Sequence, residues 1–557
     1  MTKARSSFRS KTFTPLLVLP LLFLTGGILG VSYLGARPLD YFDTGWLWGD
    51  LAQVYLAWSG FNSDPQSFLT VSDSLSFPIP MSIAMFDAMP LLYLFLSPFH
   101  IFFAHGGQFF GLYFVICIAL QASLGYLATR EAISTPGNRS SASEVAAAFG
   151  GLLTATLPFT FYRFQGHTAL SSQWLLALSI FILLRSRRFP LGYWIASNNA
   201  VVFLATGINP YLTFMVCLSV VIFLCFQIGR QNLLRTLIKT STLGITAITG
   251  FYLFGFLDAA GEKHGGYGHY SMNALGPFDS NGLGSILRFN VPDATGGQSF
   301  EGFTYLGLGV LGLVACSAIL ALVRKPEKPD RRLAFGALAI VIVSYLLALS
   351  TTPSFLSYSW FLPAPEAIED ILAKFRSSGR LFWIGGFWLI TLSVYLLYAR
   401  LRARYTIAIL AALLAVQIVD VAGVAAKIRD NISGFQHLTW TPDRSELGSA
   451  PFTKLIVLPP WQCGPNASPG GKRNYELFGY FARSVGIKTN NFYAGRTLDE
   501  QRAYHCNPEQ ALKNAKNDEL FVVATYIRDR FPEVFAQGWS CNALPSIGDS
   551  FACRKEH

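Results

Sequence analysis

The residues of this chain that could do chemistry gather in a few short polar stretches set between long apolar runs. The densest stretch, YFDTGWLWGDLAQVYLAW, carries Asp40, Asp43, Asp50 and Gln53, and Asp87 follows in MFDAMPLL. A carboxylate held among aromatic rings is partly stripped of water, which raises its pKa and suits it to act as a general base. For each aspartate taken singly, the bland alternative is a solvated or helix-capping role. A second stretch, EKHGGYGHYSMNALGPFDS, surrounds His264, His269 and Asn273 with glycines and aromatics. That composition suits close backbone approach to a ligand, or equally a flexible lid. The two histidines stand five apart without an evident third ligand, so hydrogen bonding to a polar substrate is a better use for them than metal binding. In AKFRSSGRLFWIGG, Arg376 and Arg380 are four apart. On a helix both guanidinium groups would face the same way and could grip a phosphate or carboxylate as a fork, with snorkelling at a membrane surface as the alternative. Arg163 and His167, in YRFQGHTALSSQW, form a smaller polar group.

The elements that must position these residues are membrane helices. Of 557 residues, 52% are hydrophobic and only 13% charged, about half the roughly 25% charged share of soluble domains. Apolar stretches able to cross about 30 Å of hydrocarbon recur along the chain, which excludes an ordinary soluble enzyme. The net charge of +11 does not mark a nucleic-acid partner, because the basic residues sit in short connections between the apolar runs. Such clusters are Lys3, Arg5, Arg9 and Lys11; Arg185, Arg187 and Arg188; Arg230 and Arg235; Arg324 to Arg332; and Arg400, Arg402 and Arg404. This is the positive-inside pattern, which puts these loops and the N-terminus in the cytoplasm.

The first run, 14–34, reads as an uncleaved span, since it is long for a signal peptide and lacks an A-x-A-like cleavage site. Ten further spans are expected near 107–129, 144–161, 169–186, 190–206, 209–228, 234–257, 303–323, 333–352, 380–398 and 405–422. Residues 35–105 then form a large outer loop with interfacial or re-entrant helices, and 88–104 does not cross, because crossing would turn every later Arg-rich loop outward. The expected fold is an α-helical polytopic membrane protein of about 11 transmembrane helices (1–427) followed by a small extracytoplasmic α/β domain (428–557). In the tail, 455–460 and 519–527 read as buried strands, and 473–485 and 499–515 as helices. Four cysteines, Cys463, Cys506, Cys541 and Cys553, fall in this polar tail. They suggest disulfides of undetermined pairing and an oxidising compartment; zinc is the competing reading, but no CxxC or HxxxH spacing supports it.

Polar loops converging on one membrane face imply a water-facing cavity, open sideways to lipid, with acids, histidines and paired arginines. A lipid-linked phosphate substrate fits it: the arginines would hold the phosphate while a carboxylate deprotonates an acceptor hydroxyl that attacks the sugar's anomeric carbon. Six runs in order, WLWGDLAQVYLAW, FDAMPLL, QGHTALSSQWLL, GHYSMNALGPF, GQSFEGFTYLGLGVL and FRSSGRLFW, resemble the bacterial polytopic membrane proteins of the DUF6311 type over roughly residues 40–400. That family is similar in layout to the GT-C glycosyltransferases, which use polyprenyl-phosphate sugars and carry a catalytic acid in a large first outer loop. The resemblance implies a GT-C-type glycosyltransferase of the bacterial inner membrane, moving a hexosyl or pentosyl unit from a polyprenyl-phosphate donor to a periplasmic cell-envelope acceptor: a glycan such as lipopolysaccharide, a lipid or a protein. It also implies Asp50 as general base with Asp43 as runner-up, Arg376 and Arg380 on the lipid phosphate, and Asp87 orienting donor or acceptor. No acidic pair, DD or ED, stands in the first loop, so neither metal nor another cofactor is expected. The competing readings are a transporter or flippase of a lipid-linked glycan and a non-catalytic envelope-assembly partner. The first is disfavoured by ionisable residues that cluster at one face and by halves that do not match.

Overall fold

The computed structural model describes residues 15–63, 71–102, 106–134, 139–227, 233–257, 267–325, 330–448, 451–464, 466–496 and 499–556. His264 and the basic residues ahead of the first helix lie outside the described residues. Most of the chain is a bundle of apolar helices. Among the described residues, five are long and apolar enough to cross a membrane: Leu17–Leu34, Phe110–Ile133, Arg331–Leu349, Ser378–Tyr398 and Ala403–Gly434. A sixth span arises if Ser141–Ala155 and Pro158–Gln165, bent by 41° where Pro158 interrupts the backbone ladder, are taken together. The expected eleven spans are not confirmed. Trp174–Ser186 has 13 residues, and Leu191–Thr206, Pro210–Cys225 and Leu308–Val323 have 16 each. At 1.5 Å per residue these reach about 20–24 Å, short of the roughly 30 Å of hydrocarbon.

Small residues let the spans pack closely. A Cβ on Gly26 would lie 2.8 Å from the Ala119 backbone, so the first helix lies directly against Phe110–Ile133. Two polar side chains of Ala403–Gly434 then fasten the outer segments to the bundle. Gln417 donates to the Thr156 and Leu306 carbonyls and accepts from the Val310 N–H. Asp420, fully buried, accepts from the backbone N–H groups of Leu287 (2.8 Å) and Leu308 (3.0 Å) and from the Tyr305 hydroxyl. A carboxylate satisfied by so many donors carries no exposed charge into the apolar bundle.

Within residues 35–105, one helix is enclosed by the rest of the protein. Helix Asp50–Ser63 is buried on every side from Leu51 to Phe61, because it lies between the bundle and the tail helix Asn474–Val485. Tyr480 of that tail helix donates to the Leu47 carbonyl (2.6 Å), and its ring stacks on Tyr55. The buried Glu476 accepts from the Gly49 N–H (2.8 Å), the Leu438 N–H (2.9 Å) and Arg473 (2.8 Å). The residue immediately before Asp50 is thus pinned by the tail domain.

The tail folds around a five-stranded mixed sheet in the order Lys488–Thr489, Lys454–Leu458, Glu519–Ala524, Ser550–Lys555, Trp539–Ala543. Lys454–Leu458 runs parallel to both of its neighbours, and the remaining pairings are antiparallel. The strand expected over 519–527 ends at Ala524, where Thr525–Arg530 turns into a short helix. The helix expected over 499–515 is two, Asp499–His505 and Pro508–Lys513, because Pro508 cannot continue the first and Asn507 caps the second. The disulfides are Cys463–Cys506 and Cys541–Cys553.

Replacing Asp420 with Leu strands several buried donors at once. The variant is expected to lose about 2–4 kcal/mol of stability, read as a lower thermal midpoint in detergent, with Asp420→Asn losing less. An unchanged midpoint in Asp420→Leu contradicts the fastening role.

Candidate functional site

A cavity of about 360 Å³ opens where the segment 35–105, the bundle and the tail domain meet. Asp50 enters it from the first turn of its helix. Asp87 enters from the end of the turn Ile83–Phe86, with a left-handed backbone (φ +54°) that aspartate tolerates better than most residues. The Asn209 side-chain amide reaches Asp87 at 3.4 Å while its oxygen caps helix Pro210–Cys225. Each aspartate keeps about a third of its side chain exposed, 34% in both cases, so both carboxylates are available to a ligand.

His167 stands behind them. Its Nδ1 lies 3.7 Å from Asp87 and 4.0 Å from Asp50, and its Nε2 lies 3.0 Å from Glu301. Glu301 is nearly buried, and its second oxygen receives the Arg380 guanidinium (Nε at 2.9 Å) and Arg163 at 3.4 Å. Arg163 is wholly buried, lies over the rings of Tyr162, Phe300 and Trp383, and also donates to the Phe300 carbonyl. Arg380 lies over Tyr211 at 4.9 Å.

Burial alone would raise the Glu301 carboxyl, but Arg380, His167 and Arg163 together hold it well below the usual carboxylate range. Burial would also discharge His167, yet Glu301 and Asp87 outweigh it and lift the imidazole to about 9, so the ring is an imidazolium at neutral pH. Asp50 is pushed up, first by burial and then by Asp87 and Glu301, with His167 and a hydrogen bond from Tyr493 opposing. Three carboxylates are therefore balanced by Arg163, Arg380 and protonated His167. Lys374, Arg376 and Arg496 also line the cavity, and none of them forms an ion pair among the described residues. Among the described residues, no three His, Cys, Asp or Glu side chains are arranged as metal ligands.

Of the residues marked in the sequence, Asp50, Gln53, Asp87, His167, Arg376 and Arg380 line this cavity. Arg163 sits behind it, holding Glu301. Asp43 lies elsewhere, bound to Arg37 (2.8 Å) and to the Gly45 N–H. Asn273 bonds the Leu356 carbonyl and the Leu275 N–H, which closes a turn, and the His269 carbonyl accepts from Thr295; neither residue lines the cavity. Arg376 and Arg380 do not share one helix face. Helix Glu366–Ala373 ends before Arg376, and Arg380 lies in the tighter 3-10 turn Ser378–Phe382. As a result Arg376 stays exposed over Tyr270 while Arg380 is buried on Glu301.

Residues 23–422 match the family described as a domain of unknown function, DUF6311, and residues 445–554 match the DUF6311 C-terminal domain. The chain belongs to the DUF6311 family. No curated protein matches it. Solved structures that resemble this DUF6311 protein include three of an oligosaccharyltransferase from Archaeoglobus fulgidus. One is tethered by a disulfide to an acceptor peptide containing the NVT sequon (12% identity, 92% of this chain and 69% of that one, TM-score 0.46). Another, named AglB, is in complex with an inhibitory peptide and a dolichol-phosphate (13% identity, 94% and 71%, TM-score 0.41). The third is in complex with Zn and sulfate (13% identity, 92% and 69%, TM-score 0.40).

Sequence reasoning on this DUF6311 chain missed Glu301, Asn209, Tyr493, Lys374 and Arg496. Glu301 lay inside the run GQSFEGFTYLGLGVL, and the signal for it was charge balance: Arg163 and Arg380, at the ends of apolar stretches, need a buried counter-charge. Tyr493 and Arg496 come from the tail domain, and no local pattern ties them to a site 400 residues earlier.

The raised pKa of His167 fixes the sign of a pH effect. Its contribution to stability is complete below the unfolded value of about 6.5 and is lost as pH rises through about 9. Between those limits the wild type is expected to lose roughly 3 kcal/mol relative to His167→Asn, measured as the difference of their denaturation midpoints. A difference that stays flat with pH contradicts the imidazolium.

Proposed function

We propose that this protein is an integral membrane glycosyltransferase, GT-C-like in layout, that moves a sugar from a polyprenyl-phosphate donor to a hydroxyl of an extracytoplasmic envelope acceptor. The observation that carries this reading is the pairing, across one cavity, of two accessible carboxylates, Asp50 and Asp87, with the cations Lys374, Arg376 and Arg496, which form no ion pair among the described residues. A transferase acting on a glycosyl phosphate needs a base for the incoming hydroxyl and positive charge for the departing phosphate.

In the proposed reaction the acceptor hydroxyl gives its proton to Asp50, whose desolvation raises its proton affinity. The hydroxyl oxygen forms a bond to the anomeric carbon as the bond from that carbon to the phosphate oxygen breaks, and the electron pair leaves with the polyprenyl phosphate. Arg376, Arg496 and Lys374 hold that phosphate. Arg380, committed to Glu301, acts as a positioning residue through His167 instead of gripping the phosphate itself. Asp87, bridged to Asn209 and His167, orients donor or acceptor.

The two disulfides favour an extracytoplasmic tail domain. With that domain over the cavity, the site faces away from the cytoplasm, and residues 1–427 and 428–557 serve as membrane and tail domains of one enzyme of the bacterial inner membrane.

With purified protein and a polyprenyl-phosphate sugar, Asp50→Asn is expected to fold normally and to lose transfer by a factor of about 10²–10⁴. Arg376→Gln is expected to raise the donor KM more than it lowers kcat. An Asp50→Asn protein that still transfers sugar at the wild-type rate overturns the base assignment, and an unchanged donor KM in Arg376→Gln removes the phosphate role.

A further inference from the structure

The tail domain contains a second cavity of about 230 Å³, distinct from the first. It lies between the central strands of the sheet and Phe77 and Pro78 of the first outer loop, with Tyr504 and His505 from helix Asp499–His505, Asn514 at the rim, and Glu519 and Phe521 from the middle strand. Nothing in the transfer chemistry above uses these residues.

Several features define what this cavity would take. His505 is 3% exposed, and its Nε2 has no hydrogen-bond partner among the described residues. A buried polar atom left in that state costs stability unless a ligand satisfies it. Burial lowers the imidazole to about 4 against the opposing pull of a hydrogen bond to the Ser76 backbone, so the ring is neutral and Nε2 is a single donor or a single acceptor. Glu519 is 6% exposed with its carboxyl raised by burial, which makes the interior inhospitable to a phosphate or carboxylate. Lys454 is engaged with Asp518 at 2.7 Å, and Lys516 sits exposed at the rim; both pull the Glu519 carboxyl down, but burial outweighs them. Phe77 and Tyr504 are half-buried and offer aromatic surface to C–H groups. The volume falls below the roughly 300–1,000 Å³ of drug-sized sites, which limits the occupant to about one ring. A hydroxyl both donates and accepts, so it satisfies Nε2 in either tautomer.

The walls of the two cavities are linked by a short stretch of chain. Asn490 lines the second and Tyr493 the first, and three residues of extended chain span at most about 11 Å. Between them the Phe492 ring stands edge-on to Phe86 on one side and His505 on the other, 5.7 Å from each. The disulfide Cys463–Cys506 anchors the end of the helix that carries Tyr504 and His505 to the turn Trp461–Cys463, and Trp461 packs on Tyr493.

We propose that this second cavity binds one neutral sugar ring of the acceptor, held by its hydroxyls on His505, Asn514 and Glu519 and by its C–H face on Tyr504 and Phe77. The acceptor's identity as a glycan rests on the glycosyltransferase reading, but the binding does not depend on catalysis. The test is saturation-transfer NMR on the full-length protein in nanodiscs, with methyl glycosides of the common hexoses and pentoses at millimolar concentration. At least one glycoside is expected to receive saturation at its ring protons, equally in wild type and Asp50→Asn. That signal is expected to fall at least about fivefold in Tyr504→Ala and in His505→Leu, with Tyr504→Ala the safer variant for folding because its ring is only half-buried. No signal from any glycoside overturns the proposal. So does a signal that survives in both cavity variants and disappears in Arg376→Gln, because it places the sugar in the first cavity. The binding result is independent of whether Asp50→Asn transfers sugar.

Discussion

One buried ion cluster sets the geometry of the site. Glu301 is drawn into a nearly water-free position by Arg163, Arg380 and protonated His167. None of these charges could be buried singly, since an isolated ion costs several kcal/mol to desolvate. Each guanidinium comes from a 3-10 turn at the end of a different apolar helix, and Glu301 comes from the long loop that Asp420 and Gln417 fasten to the bundle. The cluster therefore works as a joint: loop, helix ends and histidine can meet only in one arrangement. Its charges are spent on one another, and Lys374, Arg376 and Arg496 at the mouth form no ion pair with it or with other described residues.

The same cluster governs the two accessible aspartates. His167 presents one nitrogen to Glu301 and the other toward Asp87 and Asp50, so the ionisation of a buried glutamate is transmitted to the cavity wall as a fixed positive charge. Asp50 feels opposing influences, burial on one side and the imidazolium on the other. The tail domain contributes a third influence through Tyr493 and holds Gly49 by Glu476. A chain that merely anchored a tail domain in a membrane would have no need of this convergence.

Much of this was legible in the sequence, for identifiable reasons. Apolar stretches report membrane helices directly, and the polar residues that interrupt them, Asp50, Asp87, His167, Arg376 and Arg380, stand out against that background. Local spacing failed where tertiary contacts decided. Arg376 and Arg380 looked like a helical pair, but the chain breaks between them and sends one outward and one inward. Asp43 stood as runner-up to Asp50 in the sequence, and in the fold it is bound to Arg37 and to the Gly45 N–H, away from the cavity. Glu301 was hidden because a lone glutamate among aromatics has no signature of its own; its role exists only through partners 79 and 138 residues away. The eleven spans expected from hydropathy are not confirmed, because hydropathy counts apolar residues, whereas crossing also depends on unbroken helical length.

The most direct measurement is mass spectrometry of the envelope glycans and glycolipids of host cells that carry the gene, lack it, or carry it with Asp50→Asn. The account requires one sugar unit to be present with the wild-type gene and missing to the same extent in the other two, with the Asp50→Asn protein present in the membrane at normal level. A point variant that restores the sugar lost in the deletion contradicts the account, and would make the protein a carrier or scaffold for a transfer performed elsewhere.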